Sequence, residues 1–389
     1  MIKNLNTKVV KKLLSFGLLD QATLSLTTFL TLAFGVKFLD LEDHSIVAGA
    51  YLSFFSLSML SSGLFYSVIN TSIKHTEKPI DFLSQIFTNS IIFSAICILI
   101  LIIVFSNLLA FLDVNLLFYS AIFVYSNLIH DSLRRCLHLL DKSPNAFVIS
   151  FSTLTSRLAA FIFIDDFSLV SFFLLLILTE LIPVVVIILS GFVPLRFGFA
   201  GLSGYFYHSK WGFFAAFPMF ITVHSPIMLA SSIIGSTSLS VLVTLRSLTN
   251  VTNVFVGLLD TTIPILLSAG LKLNLERLVI LFYLATSIII SQYGDVILGF
   301  LYGSKFEGYT LEFLLLWLLS GLNILIRLRL VKLRLDLVTS VEMMGYSIGA
   351  LILTFSYVFL PLGSMVDFIL VMLLSYFSVF IVLYWRSPT

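Results

Sequence analysis

Long apolar stretches alternate with short charged segments along the whole chain. A helix that crosses a bilayer needs about 20 apolar residues, and twelve stretches are long enough. They cover residues 13–36, 46–69, 85–111, 115–133, 145–164, 167–189, 212–235, 239–268, 277–301, 309–326, 340–360 and 365–385. None alternates apolar and polar residues with period two, as strands of a transmembrane barrel do. Because backbone groups in lipid must pair within their own segment, the pattern predicts twelve transmembrane helices.

The composition agrees with this pattern. Of the 389 residues, 59% are hydrophobic and 11% are charged, whereas charged residues make up about 25% of an ordinary soluble domain. No soluble fold hides so much apolar surface. The composition therefore excludes a cytosolic enzyme, a disordered chain and a nucleic-acid binder.

The positions of the basic residues predict the orientation. If the amino terminus is cytoplasmic, 18 of the 22 Lys and Arg residues fall in cytoplasmic segments. Lys37 and Lys305 fall outside, and Arg157 and Arg246 lie within spans. This asymmetry is what the positive-inside rule requires, so we expect both termini in the cytoplasm.

A faint internal repeat divides the chain into halves. Residues 63–70 and 257–264 end the second and eighth spans with similar sequences, 194 positions apart. Six helices per half in the same orientation predict two lobes related by an axis along the membrane normal, around a central cleft. The predicted lobes are residues 1–190 and 212–389. A Gly-rich cytoplasmic linker, 191–211, would join them.

Motifs for catalysis are missing from the sequence. There is no phosphate-binding Gly-rich loop followed by Lys and no His-Glu-x-x-His, so we expect neither an enzyme nor a bound cofactor or metal. Cys136 with His130 and His138 could form a metal site, but isolated residues near the membrane surface are the simpler interpretation.

The eighth span carries a polar stripe. Its members, spaced 4, 3, 4, 3 and 4 residues apart on one helical face, are Arg246, Asn250, Asn253, Gly257, Asp260 and Pro264. Small and amide residues also occur where two helices pack, so a helix–helix contact is one explanation. We favour the wall of a water-filled cavity, because a packing face would not need an Arg and an Asp at opposite ends.

Other charged or polar residues within spans extend this candidate site. In the first span Asp20 and Thr27 lie close to one face. Arg157 and Glu180 flank a predicted hairpin, where a structural ion pair and a functional pair are equally good explanations. The predicted substrate-binding residues are Arg246, Asn250, Asn253, Asp260, Asp20, Thr27, Arg157 and Glu180. Pro218 and Pro226 also predict a bend in the seventh span around His224.

Basic residues cluster after equivalent helices of the two halves. The predicted cytoplasmic rim contains Arg134, Arg135, Arg329, Lys332 and Arg334. The rim could gather an anionic lipid headgroup at the cytoplasmic mouth. Topology signalling and contact with anionic membrane lipids explain the same residues more simply.

Two stretches resemble a known family. One runs through Gly235–Ser238 and Thr244–Leu248 to Pro264 and Ser268, and the other covers the first hairpin, 28–61. These stretches are similar to the polysaccharide (O-antigen and capsule type) flippases of the multidrug/oligosaccharidyl-lipid/polysaccharide exporter superfamily. The chain departs from the family at Thr28, where Asn is common, and in its outer turn, 40–43, which lacks Gly-Pro.

The resemblance implies a transporter of polysaccharide biosynthesis in the bacterial inner membrane. Such a protein flips an undecaprenyl-pyrophosphate-linked oligosaccharide from the cytoplasmic to the outer leaflet by alternating access, driven by H⁺ or Na⁺. The cationic Arg246 and the Asn side chains suit a pyrophosphate and sugars. A drug/cation antiporter of the same superfamily is the alternative, although drug sites are usually apolar and aromatic. A polysaccharide polymerase or ligase is disfavoured because the predicted outer loops are short.

Overall fold

The computed structural model describes residues 7–61, 79–108, 114–140, 142–191, 214–249, 252, 275–335 and 340–386. Regular structure within these ranges is helical throughout. The helices are α1 (Thr7–Phe38), α2 (Leu41–Ser61), α3 (Pro79–Leu108), α4 (Val114–Leu139), α5 (Ser143–Phe163), α6 (Leu169–Leu189), α7 (Phe214–Ile233), α8 (Ser236–Thr249), α9 (Leu275–Tyr302), α10 (Thr310–Leu335), α11 (Ser340–Phe359) and α12 (Met365–Arg386). A short 3-10 turn, Ser304–Phe306, lies between α9 and α10. The predicted fold class, an all-α membrane protein with twelve helices, is confirmed.

The helices follow the apolar pattern closely. Eight of those in the described ranges are long and apolar enough to cross a membrane: α2, α5, α6, α7, α9, α10, α11 and α12. The largest extension is in α10, which continues to Leu335, nine residues beyond its predicted end at residue 326. The ends of the second and eighth spans lie outside the described residues.

Polar side chains start several helices at the predicted outer turns. The Oδ1 atom of Asp40 accepts a hydrogen bond from the backbone of Asp43 at 2.8 Å, at the start of α2. Ser168 caps α6 by accepting from the backbone of Ser171. At α12, Ser364 and Asp367 bond to each other's backbone N–H groups, which is a capping box. These contacts satisfy N–H groups that a helix start leaves without an intrahelical partner.

Helix α7 is interrupted at His224, as the prolines predicted. The second segment begins at Ser225 with Pro226 in its first turn, where a missing N–H costs nothing. Gly235 then makes the tight turn to α8 with φ of 126°, a conformation that side chains disfavour. The seventh span therefore consists of two helical segments and ends in a short connection to α8.

The chain forms two compact units, residues 38–213 and residues 1–37 with 214–389. In the first unit, α4 packs against α2, α3, α5 and α6. In the second, α10 packs against α8, α9 and α12, and α12 also packs against α11 and the second segment of α7.

Helix α1 groups with the second half of the chain through specific contacts. The rings of Phe29 and Tyr302 lie 6.2 Å apart, and Lys305 Nζ donates to the carbonyl of Val36 at 3.2 Å. The lobes predicted as 1–190 and 212–389 remain a prediction. Residues 192–211 of the predicted linker lie outside the described residues.

Candidate functional site

Arg246 lies in the last turn of α8, next to the interruption in α7. Its Nη1 atom donates to the carbonyl of Val223 at 2.9 Å. Val223 ends the first segment of α7, and carbonyls at such an end lack the usual intrahelical donor. Arg246 therefore caps a broken helix with one of its five N–H groups, and the geometry leaves a planar cation at the break.

A small cavity of about 60 Å³ lies beside Arg246. Helices α8, α10 and α12 contribute its walls, which consist of Arg246, Thr249, Leu316, Leu319, Ser320, Asn323 and Tyr376. We call these seven residues the Arg246 pocket. Its polar groups are a guanidinium, an amide and three hydroxyls, with no carboxylate among these lining residues. Such a set donates hydrogen bonds and carries positive charge, so it suits an anionic or hydroxyl-rich ligand.

Hydroxyl contacts hold the pocket wall in place. Ser320 of α10 pairs with Thr252 at 2.8 Å and with the hydroxyl of Tyr283 in α9 at 3.3 Å. Thr249 donates to the carbonyl of Arg246 at 2.8 Å. These bonds connect the end of α8 to α9 and α10, so the wall is positioned before any ligand binds.

Arg327 adds positive charge near the pocket, and His224 adds a buried polar ring. Tyr376 lies within electrostatic reach of both Arg246 and Arg327. His224, at the α7 interruption, is buried and lies within reach of Arg246. Within the described part of the chain, His224 Nδ1 and Arg327 Nε are buried without a hydrogen-bond partner. Buried polar atoms are usually paired, so these two orphans mark the surroundings of the pocket as polar and unsatisfied.

The other residues of the predicted stripe lie outside the described residues: Asn250, Asn253, Gly257, Asp260 and Pro264. Asp20 and Thr27 are buried on one face of α1, together with Thr23 and Thr31. The Thr27 hydroxyl donates to the carbonyl of Thr23 at 2.7 Å, one helical turn back. Neither Asp20 nor Thr27 lines the Arg246 pocket. Their roles in substrate binding remain predictions.

The structure brings Arg157 and Glu180 together in the unit formed by residues 38–213. Arg157 Nη2 lies 2.5 Å from Glu180 Oε1. Arg157 Nε donates to the Thr179 hydroxyl at 3.0 Å, and Nη1 donates to the Tyr51 hydroxyl at 2.9 Å. His130 Nδ1 contacts Glu180 Oε2. We call Arg157, Glu180 and His130 the ion cluster; each is at most 2% exposed.

Described residues of the predicted rim have carboxylate partners. Arg134 and Arg135 both pair with Asp131, at 3.2 and 2.9 Å. Arg329 pairs with Glu276 at 2.9 Å, and its guanidinium lies 4.6 Å from the ring centre of Tyr384. The side chains of Lys332 and Arg334 lie outside the described residues. A role for this rim in gathering anionic headgroups remains a prediction.

Sequence reasoning missed several polar groups that the fold brings together. Ser320 and Asn323 of the pocket and the nearby Arg327 are spaced three and four residues apart on α10, which places them on one face. That spacing is visible in the sequence and would have identified them. Tyr376 and the contact between His130 and Glu180 have no such local signal, because their partners come from other helices.

Solved structures similar to this chain are membrane transporters. No protein-family model and no curated protein matches the sequence significantly. An inward-facing multidrug resistance MATE family transporter of the MOP superfamily superimposes with a TM-score of 0.64 and 12% identity over 94% of each chain. An outward-facing MATE transporter gives 0.62 and 12%, over 97% of this chain and 94% of that one. A MOP superfamily transporter from Pyrococcus furiosus gives 0.65 and 13%, with the same coverages. At this identity the similarity shows the fold alone.

Proposed function

We propose that this protein transports a lipid-linked oligosaccharide from the cytoplasmic to the outer leaflet of a bacterial inner membrane. The observation that carries the proposal is the Arg246 pocket, a cationic and hydroxyl-lined cavity inside a membrane protein. A charged group within a membrane span is costly unless it meets water or an anion. An anionic substrate would supply that partner during transport.

The chemistry of the pocket suits both parts of a polyprenyl-pyrophosphate sugar. The planar guanidinium of Arg246 matches phosphate oxygens with paired hydrogen bonds. Asn323 and Ser320 offer the amide and hydroxyl groups that bind sugar hydroxyls. The cavity is too small for a whole oligosaccharide, so we expect it to bind the pyrophosphate or one sugar ring as the substrate passes.

The fold supports alternating access as the mechanism. The similar structures include inward-facing and outward-facing states of MATE family transporters. The similar transporter from Pyrococcus furiosus is described by a reverse polarity of its binding pocket, which suggests a different function for that protein. A change in pocket charge on a common fold would be one way in which this chain takes an anionic substrate.

A drug/cation antiporter is the second candidate, because multidrug transporters share the fold. A permanently charged arginine repels a cationic drug, and desolvation strengthens the repulsion. The pocket therefore favours the anionic substrate. Efflux of a cationic dye and accumulation of lipid-linked oligosaccharide distinguish the two functions directly.

The experiment removes the cation while keeping the fold. A strain that lacks this protein is expected to accumulate lipid-linked oligosaccharide on the cytoplasmic side, and the wild-type gene should reverse this. Arg246→Ala should not, whereas Arg246→Lys should retain part of the transport because it keeps the charge. Arg277→Ala is the matched control, since Arg277 is exposed at the start of α9, and should transport normally.

Three results would contradict the proposal. One is normal transport by Arg246→Ala. A second is dye efflux without any effect on the lipid-linked oligosaccharide. The third result comes from a second variant, which is needed because Arg246→Ala also removes the hydrogen bond to Val223 and with it a contact that supports folding. Arg246→Gln keeps an amide donor without the charge, so an accumulating Arg246→Gln protein with normal transport would assign Arg246 to packing alone.

A further inference from the structure

Arg327 of α10 carries a positive charge that no described residue offsets. It lies within a candidate membrane span, residues 310–330, and its Nε atom is buried without a hydrogen-bond partner among the described residues. Arg329, two residues further along, pairs with Glu276 at 2.9 Å. Arginine keeps its proton inside proteins, so the charge of Arg327 persists. Because charged groups within spans usually have a partner, the position of Arg327 indicates a site for an anion.

Arg327 continues the polar face of α10 that contributes to the Arg246 pocket. Ser320 and Asn323 line the pocket, and Arg327 follows Asn323 by four residues, or about 6 Å along the helix. Residues with this spacing share one face of a helix. Arg327 is not among the lining residues. It therefore lies next to the pocket, toward the predicted cytoplasmic end of α10.

Tyr376 of α12 connects the two arginines. It lines the pocket together with Arg246, is 3% exposed, and lies within electrostatic reach of both Arg246 and Arg327. Two guanidinium groups near one side chain repel each other, and a surrounding of low polarity strengthens the repulsion. The residues that line the pocket include no carboxylate. A ligand with two adjoining anionic groups would offset both charges at once.

We propose, on the basis of the transport function above, that Arg246 and Arg327 form a two-cation site that selects a diphosphate over a monophosphate. One phosphate group contacts Arg246 in the pocket, and the adjoining phosphate group contacts Arg327 beyond Tyr376. Each guanidinium binds phosphate oxygens through paired hydrogen bonds. Arg327 is then a specificity-determining residue, and the pocket binds the pyrophosphate of the proposed substrate and not one of its sugar rings.

Other anionic or hydroxyl-rich groups match the two cations less well. A sugar acid has one carboxylate per ring, so it leaves one of the two arginines without a counter-charge. A neutral sugar offsets neither charge. A monophosphate can pair with Arg246 or with Arg327 but has no second phosphate group for the other. Of these ligands, the diphosphate alone offers a separate anionic group to each arginine.

The first test measures binding of inorganic pyrophosphate and inorganic phosphate without any lipid substrate. Purified protein in nanodiscs of zwitterionic lipid is titrated by calorimetry at constant ionic strength. We expect wild-type protein to bind pyrophosphate at least about tenfold more tightly than phosphate, since hydrogen bonds to charged groups are strong. Arg327→Gln should lose this preference and keep its affinity for phosphate. Wild-type protein without the preference, or Arg327→Gln that retains it, would overturn the proposal.

The control removes a positive charge from elsewhere in the same unit. Arg277→Gln is suitable because Arg277 is exposed at the start of α9, and it should keep the full preference for pyrophosphate. An equal loss in Arg277→Gln and Arg327→Gln would show that net charge alone sets the affinity, which contradicts a site at Arg327. If Arg327→Gln does not accumulate, Arg327→Met replaces it, because Met is a long apolar side chain that suits a membrane span.

The second test measures transport in proteoliposomes with two fluorescent sugar lipids, one linked through undecaprenyl pyrophosphate and one through undecaprenyl monophosphate. Wild-type and Arg277→Gln protein should transport the pyrophosphate lipid at least about tenfold faster, and Arg327→Gln should reduce its rate to that of the monophosphate lipid. Equal rates for both lipids in wild-type protein would contradict the two-cation site and leave lipid-linked transport intact. Selective pyrophosphate binding without transport of either lipid would contradict the proposed function and leave the diphosphate site intact.

Discussion

Two arginines within the spans illustrate how partners decide the role of a residue. Arg157 is buried and contacts a carboxylate and two hydroxyls. Arg246 is half-buried, donates to one carbonyl and lines a cavity. Sequence alone placed both in one candidate site. A charged residue within a span indicates a free-energy cost, but the sequence does not show which partners offset that cost. The side-chain partners Tyr51, Thr179 and Glu180 of Arg157 come from α2 and α6, so they could not be predicted from local spacing.

The buried pair between Arg157 and Glu180 predicts strong coupling of their substitutions. Arg157→Gln should lower the free energy of unfolding by about 3–5 kcal/mol, since it leaves a buried carboxylate with less compensation. Combining it with Glu180→Gln should restore part of this loss, because no net charge remains in the cluster. Denaturant titration of the purified proteins in mild detergent measures both.

Arg135→Gln is the matched control for this pair. Its side chain is 36% exposed, and its partner Asp131 keeps a second arginine, Arg134. We expect a loss below about 1 kcal/mol, as for most exposed ion pairs. If Arg157→Gln combined with Glu180→Gln loses as much free energy of unfolding as the two single variants added together, Arg157 and Glu180 do not act as a pair.

At the element scale, the close approach of α11 and α12 depends on one glycine. A Cβ atom at Gly349 would lie 2.7 Å from Val379 and 3.2 Å from the carbonyl of Ser375. Ser375 donates to the carbonyl of Gly349 at 2.8 Å, which connects the two helices through the same contact. Small residues that let backbones approach are typical of helix packing in membranes.

Gly349→Ala is therefore expected to destabilise the protein by about 1–3 kcal/mol, since the β-branched Val379 has little freedom to move away. Gly345→Ala, one turn earlier on the same helix, is the control. A Cβ atom there would meet its nearest neighbours at 3.5–3.6 Å, an ordinary contact. Thermal unfolding in detergent should separate the two variants, and equal melting temperatures would refute the close-approach explanation.

The elements were largely predictable because the bilayer imposes one length and one backbone solution on every span. The break at His224 was also predictable, because a proline removes an N–H wherever it occurs. Which helices become neighbours was not. Spans are apolar on most faces, so periodicity does not reveal that α1 groups with 214–389. The contribution of α10 and α12 to the Arg246 pocket was missed for the same reason. In the sequence, Tyr376 cannot be distinguished from the many other aromatic residues of the spans.

At the scale of the whole molecule, the ion cluster and the Arg246 pocket belong to different units. The ion cluster lies in the unit of residues 38–213, and the Arg246 pocket lies in the other. Each set of side chains is held by partners from its own unit, so the proposed substrate contact and the buried ion pair can be tested by separate substitutions.

The basic residues predict the orientation of the whole chain, and reporter fusions test this prediction. Lys and Arg residues hold a connecting segment in the cytoplasm, and 18 of 22 fall on that side if the amino terminus is cytoplasmic. Alkaline phosphatase should be active when fused at the outer turns, at Glu42, Asp113, Asp166, Gly235, Glu307 and Ser364. It should be inactive, and a fluorescent reporter active, at Lys78, Lys142, Gly201, Lys272 and Arg334. Two neighbouring fusions that report the same side would show that the span between them does not cross the membrane, and the cytoplasmic position of the carboxyl terminus would then be wrong.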